Sequence, residues 1–213
     1  FFITTKIWIS NAGYEKAKVS IEESLKKLQT DYIDLLLVHQ PFGDYYGTYR
    51  AMEEAYRAGK VRAIGVSNFS PNRFIDLQYF VEIKPAINQI ETHVFYQQKE
   101  AKKYLEKYDC QIESWGPFAE GKNDFFNTPL LKEIGEKYGK SVAQVALRFL
   151  LQSNVVVIPK SVRKERMQEN FHIFDFELTE DEMKSIEGLD QASTLFHDHQ
   201  EPETAERFLS FLS

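Results

Sequence analysis

The chain has 213 residues, which suits one sizeable domain spanning 1–213 rather than two. With 43% hydrophobic and 27% charged residues it matches ordinary globular usage, which excludes a disordered or membrane-embedded chain, and 26 basic against 32 acidic residues leave a net charge of −6, which excludes a nucleic-acid footprint. No apolar run nears the roughly 18 residues of a spanning helix, the start Phe1-Phe2-Ile3-Thr4-Thr5-Lys6 lacks a basic region ahead of an apolar one, and Cys110 has no second cysteine to pair with, so no membrane partner and a reducing cytoplasm are expected.

Residues 2–8 open the chain as a first short apolar run rich in β-formers. Tyr14, Ala17, Ile21, Leu25 and Leu28 then step by three or four, one apolar stripe of a helix with lysines and glutamates opposite. The next strand, residues 32–39, is almost continuously apolar, as expected of a strand covered on both faces in a parallel sheet. Residues 61–66 form a third, and Ser70-Pro71 places a hydroxyl before a proline at a helix start. Strands at 86–91 and 111–115 follow, then a second such start at Thr128-Pro129 and capping-box spacing from Ser141 to Gln144. Residues 155–158 form a sixth strand, and Thr179 to Glu182 repeats the capping box. Strands recurring about every 25–45 residues require crossover connections, hence a parallel α/β sheet. A closed barrel of eight such units and an open doubly wound sheet both satisfy the periodicity.

Parallel sheets collect their binding residues at the carboxyl ends of the strands. Those ends carry Lys6 with Trp8, His39 with Gln40-Pro41, Ser67-Asn68, Gln89 with Glu91, Trp115-Gly116-Pro117, and Lys160-Ser161, all polar or aromatic apart from the glycine and prolines. Near the last of them Lys160, Ser161, Arg163 and Arg166 gather three cations and a hydroxyl in an acidic chain, ahead of a helix start where an anion is attracted. No GxGxxG occurs, which weakens the doubly wound alternative. His197, Asp198, His199 and Glu201 lack a third-ligand pattern, so no metal is expected and the segment reads as a substrate-side loop. Cys110 reads as a structural thiol.

In order along the chain, Thr4-Thr5-Lys6-Ile7-Trp8, Asp34 to Pro41, Gly59 to Phe69, Asn88-Gln89-Ile90-Glu91 and Ile158-Pro159-Lys160-Ser161 resemble the successive signatures of the aldo-keto reductases. Trp115-Gly116-Pro117 and residues 160–170 are most similar to bacterial members of the 2,5-diketogluconate reductase kind. The resemblance implies a (β/α)8 TIM barrel of which this chain supplies strands three to eight, the first two βα units being absent; each is about 30 residues, and 213 falls short of the roughly 250 typical of such barrels.

The same resemblance implies NADPH-dependent reduction of a small aldehyde or ketone, with oligomeric state open. Lys6 matches the lysine that tunes the family's catalytic tyrosine, since a neighbouring ammonium lowers a phenol pKa of about 10. His39 matches the histidine that hydrogen-bonds the substrate carbonyl. The family's tyrosine and aspartate fall ahead of Phe1, and Tyr45, Tyr46 and Tyr49 do not take their place. Ser67, Asn68 and Gln89 match the residues that hold the nicotinamide carboxamide, and Trp115 the aromatic that stacks on that ring. Lys160, Ser161 and Arg166, with Arg163, match the 2′-phosphate clamp that selects NADPH, with Glu169 and Asn170 at the adenine. Trp8 is the first candidate for the substrate pocket. A catalytically silent nucleotide-binding or scaffold member of the fold is the alternative, suggested by the missing tyrosine.

Overall fold

The computed structural model describes residues 1–212 and has an α/β fold with a parallel sheet of six strands. The described residues divide into two compact units. One comprises Phe1–Gln89, Lys103–Gln111 and the residues from His197 on; the other comprises Ile90–Lys102 and Ile112–Phe196.

In the first unit β1 (Thr4–Ile7), β2 (Ile33–Val38) and β3 (Val61–Ser67) pair in parallel, with Lys6 opposite Leu37 and Leu37 opposite Gly65. All six residues of β2 are buried, Asp34 among them, as a strand covered on both faces requires. Gly65 is dictated by close approach: a Cβ there would lie 2.5 Å from the Ile87 carbonyl oxygen. Helix α1 (Tyr14–Leu28) buries Ala17, Ile21 and Leu25, and α2 (Tyr45–Arg57) buries Tyr49, Ala51, Met52 and Ala55. The Asp44 carboxylate caps α2 by accepting from Gly47 N at 2.8 Å. Buried Glu53 accepts from the Glu82 and Ile83 amides at 2.9 and 2.7 Å, tying α2 to the turn after α3 (Pro71–Phe80). That turn leads into β4 (Ile87–Glu91), whose Gln89 pairs with Ser67.

In the second unit α4 begins at Lys99 and β5 spans Gln111–Trp115. Helices α5 (Pro129–Tyr138) and α6 (Val142–Gln152) lead to β6 (Val156–Val157), followed by α7 (Lys164–Phe171) and α8 (Glu180–Glu187). Both capping boxes form: Ser141 and Thr179 accept from backbone amides three residues on, and Gln144 and Glu182 reach back. Nine of the eleven residues of α6 are buried, so it is packed all round rather than along a stripe.

Several sequence expectations need correction. Ser70 and Thr128 do precede helix starts but do not cap them, because Ser70 Oγ donates to Asn72 Oδ1 and Thr128 Oγ1 to the Phe125 carbonyl. Leu28 leaves the α1 stripe and is exposed, as the helix ends there. The sixth strand shrinks from residues 155–158 to two, with Val156 and Ile158 exposed. The segment from residue 197, read as a loop, contains the amphipathic helix α9 (Pro202–Leu209).

Candidate active site

Four strand ends of the first unit are tied together by hydrogen bonds. Lys6, at the end of β1, is half-buried and donates through Nζ to Gln89 Oε1 on β4. Ser67, fully buried at the end of β3, donates from Oγ to the Gln89 carbonyl at 2.9 Å. Asn68 follows in the left-handed region (φ 64°), a conformation that Asn tolerates because its short side chain bonds locally. Its amide donates to the His39 carbonyl at 3.2 Å and lies 3.4 Å from Gln40 Oε1. Buried Asn88 donates to the Phe69 carbonyl at 2.8 Å and fixes the start of the segment after Asn68.

His39 sits just beyond β2, and the Trp8 indole meets its ring edge-to-face at 4.8 Å and 71°. Burial, joined by the nearby Lys6 cation, lowers the His39 pKa from its usual 6.5 to about 4. At neutral pH this imidazole is therefore uncharged and can donate one hydrogen bond. The cluster thus offers an ammonium, a neutral imidazole, and hydroxyl and amide groups at neighbouring strand ends.

In the second unit a cavity of about 570 Å³ is lined by Lys160, Ser161, Arg166, Glu169 and Asn170, with Phe118 and Phe126 among its apolar walls. Arg163 does not line it; its amide donates to Ser161 Oγ at 3.1 Å and its backbone begins α7. Helix α7 is placed by α6, since the Gln144 amide donates to the Glu169 and His172 carbonyls at 3.1 and 2.8 Å. Trp115 ends β5, and its ring is met edge-on by Phe196 at 5.1 Å.

Sequence reasoning missed two sets of residues. In the first unit Phe208 and Phe211 lie 6.2 and 6.1 Å from Trp8, and Phe208 also stacks on Phe42 and His199. Pro202 at the helix start and the apolar Ala205, Phe208 and Leu209 at helical spacing were the available signal for that helix. In the second unit it missed His93, which pairs with the strand-end Glu91 inside the protein, Oε1 to Nε2 at 3.0 Å.

The Aldo/keto reductase family model matches residues 1–191. The chain is 46% identical over 191 residues to a glyoxal reductase of Bacillus subtilis (strain 168), covering 89% of this chain and 68% of that one. It is similar to a solved variant of Gox0644 in complex with NADPH, with a TM-score of 0.89 and 35% identity over 93% of this chain and 74% of that one. A putative 2,5-diketo-D-gluconic acid reductase B gives a TM-score of 0.88 and 37% identity over 95% of this chain and 73% of that one. With a matched family model over nine-tenths of its length, the chain belongs to the aldo/keto reductase family.

Proposed function

We propose that the strand-end cluster of the first unit is the carbonyl-reduction site, with Lys6 and His39 as its catalytic residues. The observation that carries this reading is the bonded set Lys6, Gln89, Ser67 and Asn68 beside an uncharged His39. As a family member the chain is an NADPH-dependent oxidoreductase that reduces the carbonyl of a small substrate to an alcohol. The neutral His39 ring donates to the substrate oxygen and polarises the carbonyl. The Lys6 ammonium, held by Gln89, stabilises negative charge developing on that oxygen and favours ionisation of an adjacent phenol. Trp8, packed against His39, forms a wall of the substrate pocket. When bound, NADPH supplies the hydride.

Ser67, Asn68 and Gln89 hold the nicotinamide carboxamide, because their hydroxyl and amide groups both donate and accept. In the second unit Trp115 stacks on the nicotinamide ring. Lys160, Ser161 and Arg166 hold the 2′-phosphate, with Arg163 contributing through its backbone contact to the Ser161 hydroxyl, and Glu169 and Asn170 face the adenine. The donor set fits this group: two cations, a hydroxyl and an amide surround a cavity within the roughly 300–1,000 Å³ range of ligand pockets. The six strands are read as the third to eighth of a (β/α)8 barrel forming a single domain, its first two βα units lying outside these 213 residues. No helix among the described residues is long and apolar enough to cross a membrane, and a single buried cysteine fits a cytoplasmic setting.

Calorimetric titration with NADPH and NADH tests the clamp. NADPH is expected to bind at least about tenfold more tightly, and Lys160→Ala and Arg166→Ala each to remove most of that preference. Equal affinity for the two nucleotides contradicts the assignment.

A further inference from the structure

The buried Glu91 carboxylate, at the end of β4, accepts more hydrogen bonds than the proposed chemistry uses. Its Oε1 accepts from His93 Nε2 at 3.0 Å and from the Leu195 amide at 2.9 Å, and its Oε2 accepts from the Thr194 hydroxyl. The Tyr96 amide, which donates to the His93 carbonyl at 3.0 Å, also lies 3.1 Å from His93 Nδ1 and holds the ring in place. Two of the hydrogen bonds that hold the buried carboxylate come from a segment more than a hundred residues further along the chain.

That segment leads directly to Phe196. Thr194 Oγ1, while donating to Glu91, accepts from the Phe196 amide at 3.0 Å, which fixes the turn that aims the phenyl ring. Lys122 closes the other side: its ammonium donates to the Leu195 carbonyl at 2.7 Å and lies 4.4 Å from the Phe196 ring centroid. Phe196 then stands at 67° to Trp115. Next to Trp115, Gly116 adopts φ 64°, and a Cβ there would touch the same phenyl ring at 3.9 Å.

We infer that Glu91 is a positioning residue for cofactor binding: by anchoring Thr194 and Leu195 it presses Phe196 against Trp115 and fixes the plane that the indole presents to the nicotinamide. The inference rests on the proposed stacking role of Trp115. An indole held in one orientation loses less rotamer freedom on binding than a mobile one, so the anchor acts on affinity through pre-organisation.

A double-mutant cycle on NADPH affinity, measured on the whole chain, separates the two claims. Thr194→Val keeps the shape and removes only the hydroxyl; Phe196→Leu removes the ring contact. Each is expected to weaken NADPH binding about fivefold to tenfold, and by less than about twofold once Trp115→Leu is already present. In a Trp8→Phe background, where Trp115 is the one remaining tryptophan, cofactor-free emission should shift to the red and acrylamide quenching should rise in both variants. Loss of affinity from Trp115→Leu with none from Thr194→Val or Phe196→Leu overturns the positioning role and leaves the stacking intact. Equal losses with and without Trp115 overturn it too, because the effect then bypasses the indole. If Trp115→Leu itself leaves NADPH affinity unchanged, the stacking role fails and the positioning role falls with it.

Discussion

His39 shows how one residue's surroundings select its chemistry. A protonated imidazole would be the better electrophile, but burial and the Lys6 cation keep the ring neutral down to about pH 4. The unfolded chain takes up the proton near pH 6.5, so between these values the unfolded state binds more protons than the native state. Stability contributed by neutral His39 is therefore present above pH 6.5 and is lost as the pH falls towards 4. The Tm of wild type should drop more steeply over that interval than the Tm of His39→Asn, which cannot titrate; parallel curves would place the ring in water. The identities of Lys6 and His39 were legible from the motifs around them. The neutral state of His39 was not, because it depends on burial against Trp8 and on a lysine 33 positions away.

Among the elements, α7 carries three of the residues assigned to the nucleotide, yet it buries none of its own side chains. An exposed eight-residue helix has little intrinsic stability, so its position must come from outside. Gln144 of α6 supplies it by donating to the Glu169 and His172 carbonyls while its Oε1 completes the capping box at Ser141. Gln144→Ala removes one donor from each carbonyl, leaving them the His172 amide and the Lys140 ammonium as partners, and should cost about 0.5–1.5 kcal/mol per lost hydrogen bond in chemical denaturation. It should also weaken NADPH binding while sparing events in the first unit. Unchanged NADPH affinity would mean that α7 is fixed by other contacts. The capping box itself was readable from the spacing of Ser141 and Gln144; the grip on α7 was not, since it joins residues 25 and 28 apart.

Across the whole molecule, the apolar runs located all six strands within a few residues, most clearly at β2, where every residue is buried. The weakest of them, at 155–158, lost half its length where its side chains meet solvent. What no window of sequence could reveal is the work of the last twenty residues: α9 brings Phe208 to Trp8, and Thr194 and Leu195 bond to Glu91 across about a hundred positions. Local patterns report propensity, whereas these contacts exist only after the chain has closed on itself. Cys110 belongs to the same lesson in reverse: it read as structural, and burial pushes its thiol up to about 12, which keeps it protonated and inert. The most direct test of the proposed carbonyl-reduction site follows NADPH absorbance with a small aldehyde in wild type, Lys6→Met and His39→Ala, alongside NADPH affinity in each. Turnover is expected to fall by at least about a hundredfold in both variants with affinity changed by less than about threefold. Turnover equal to wild type in either variant, or NADPH bound but never consumed by wild type, would contradict the account.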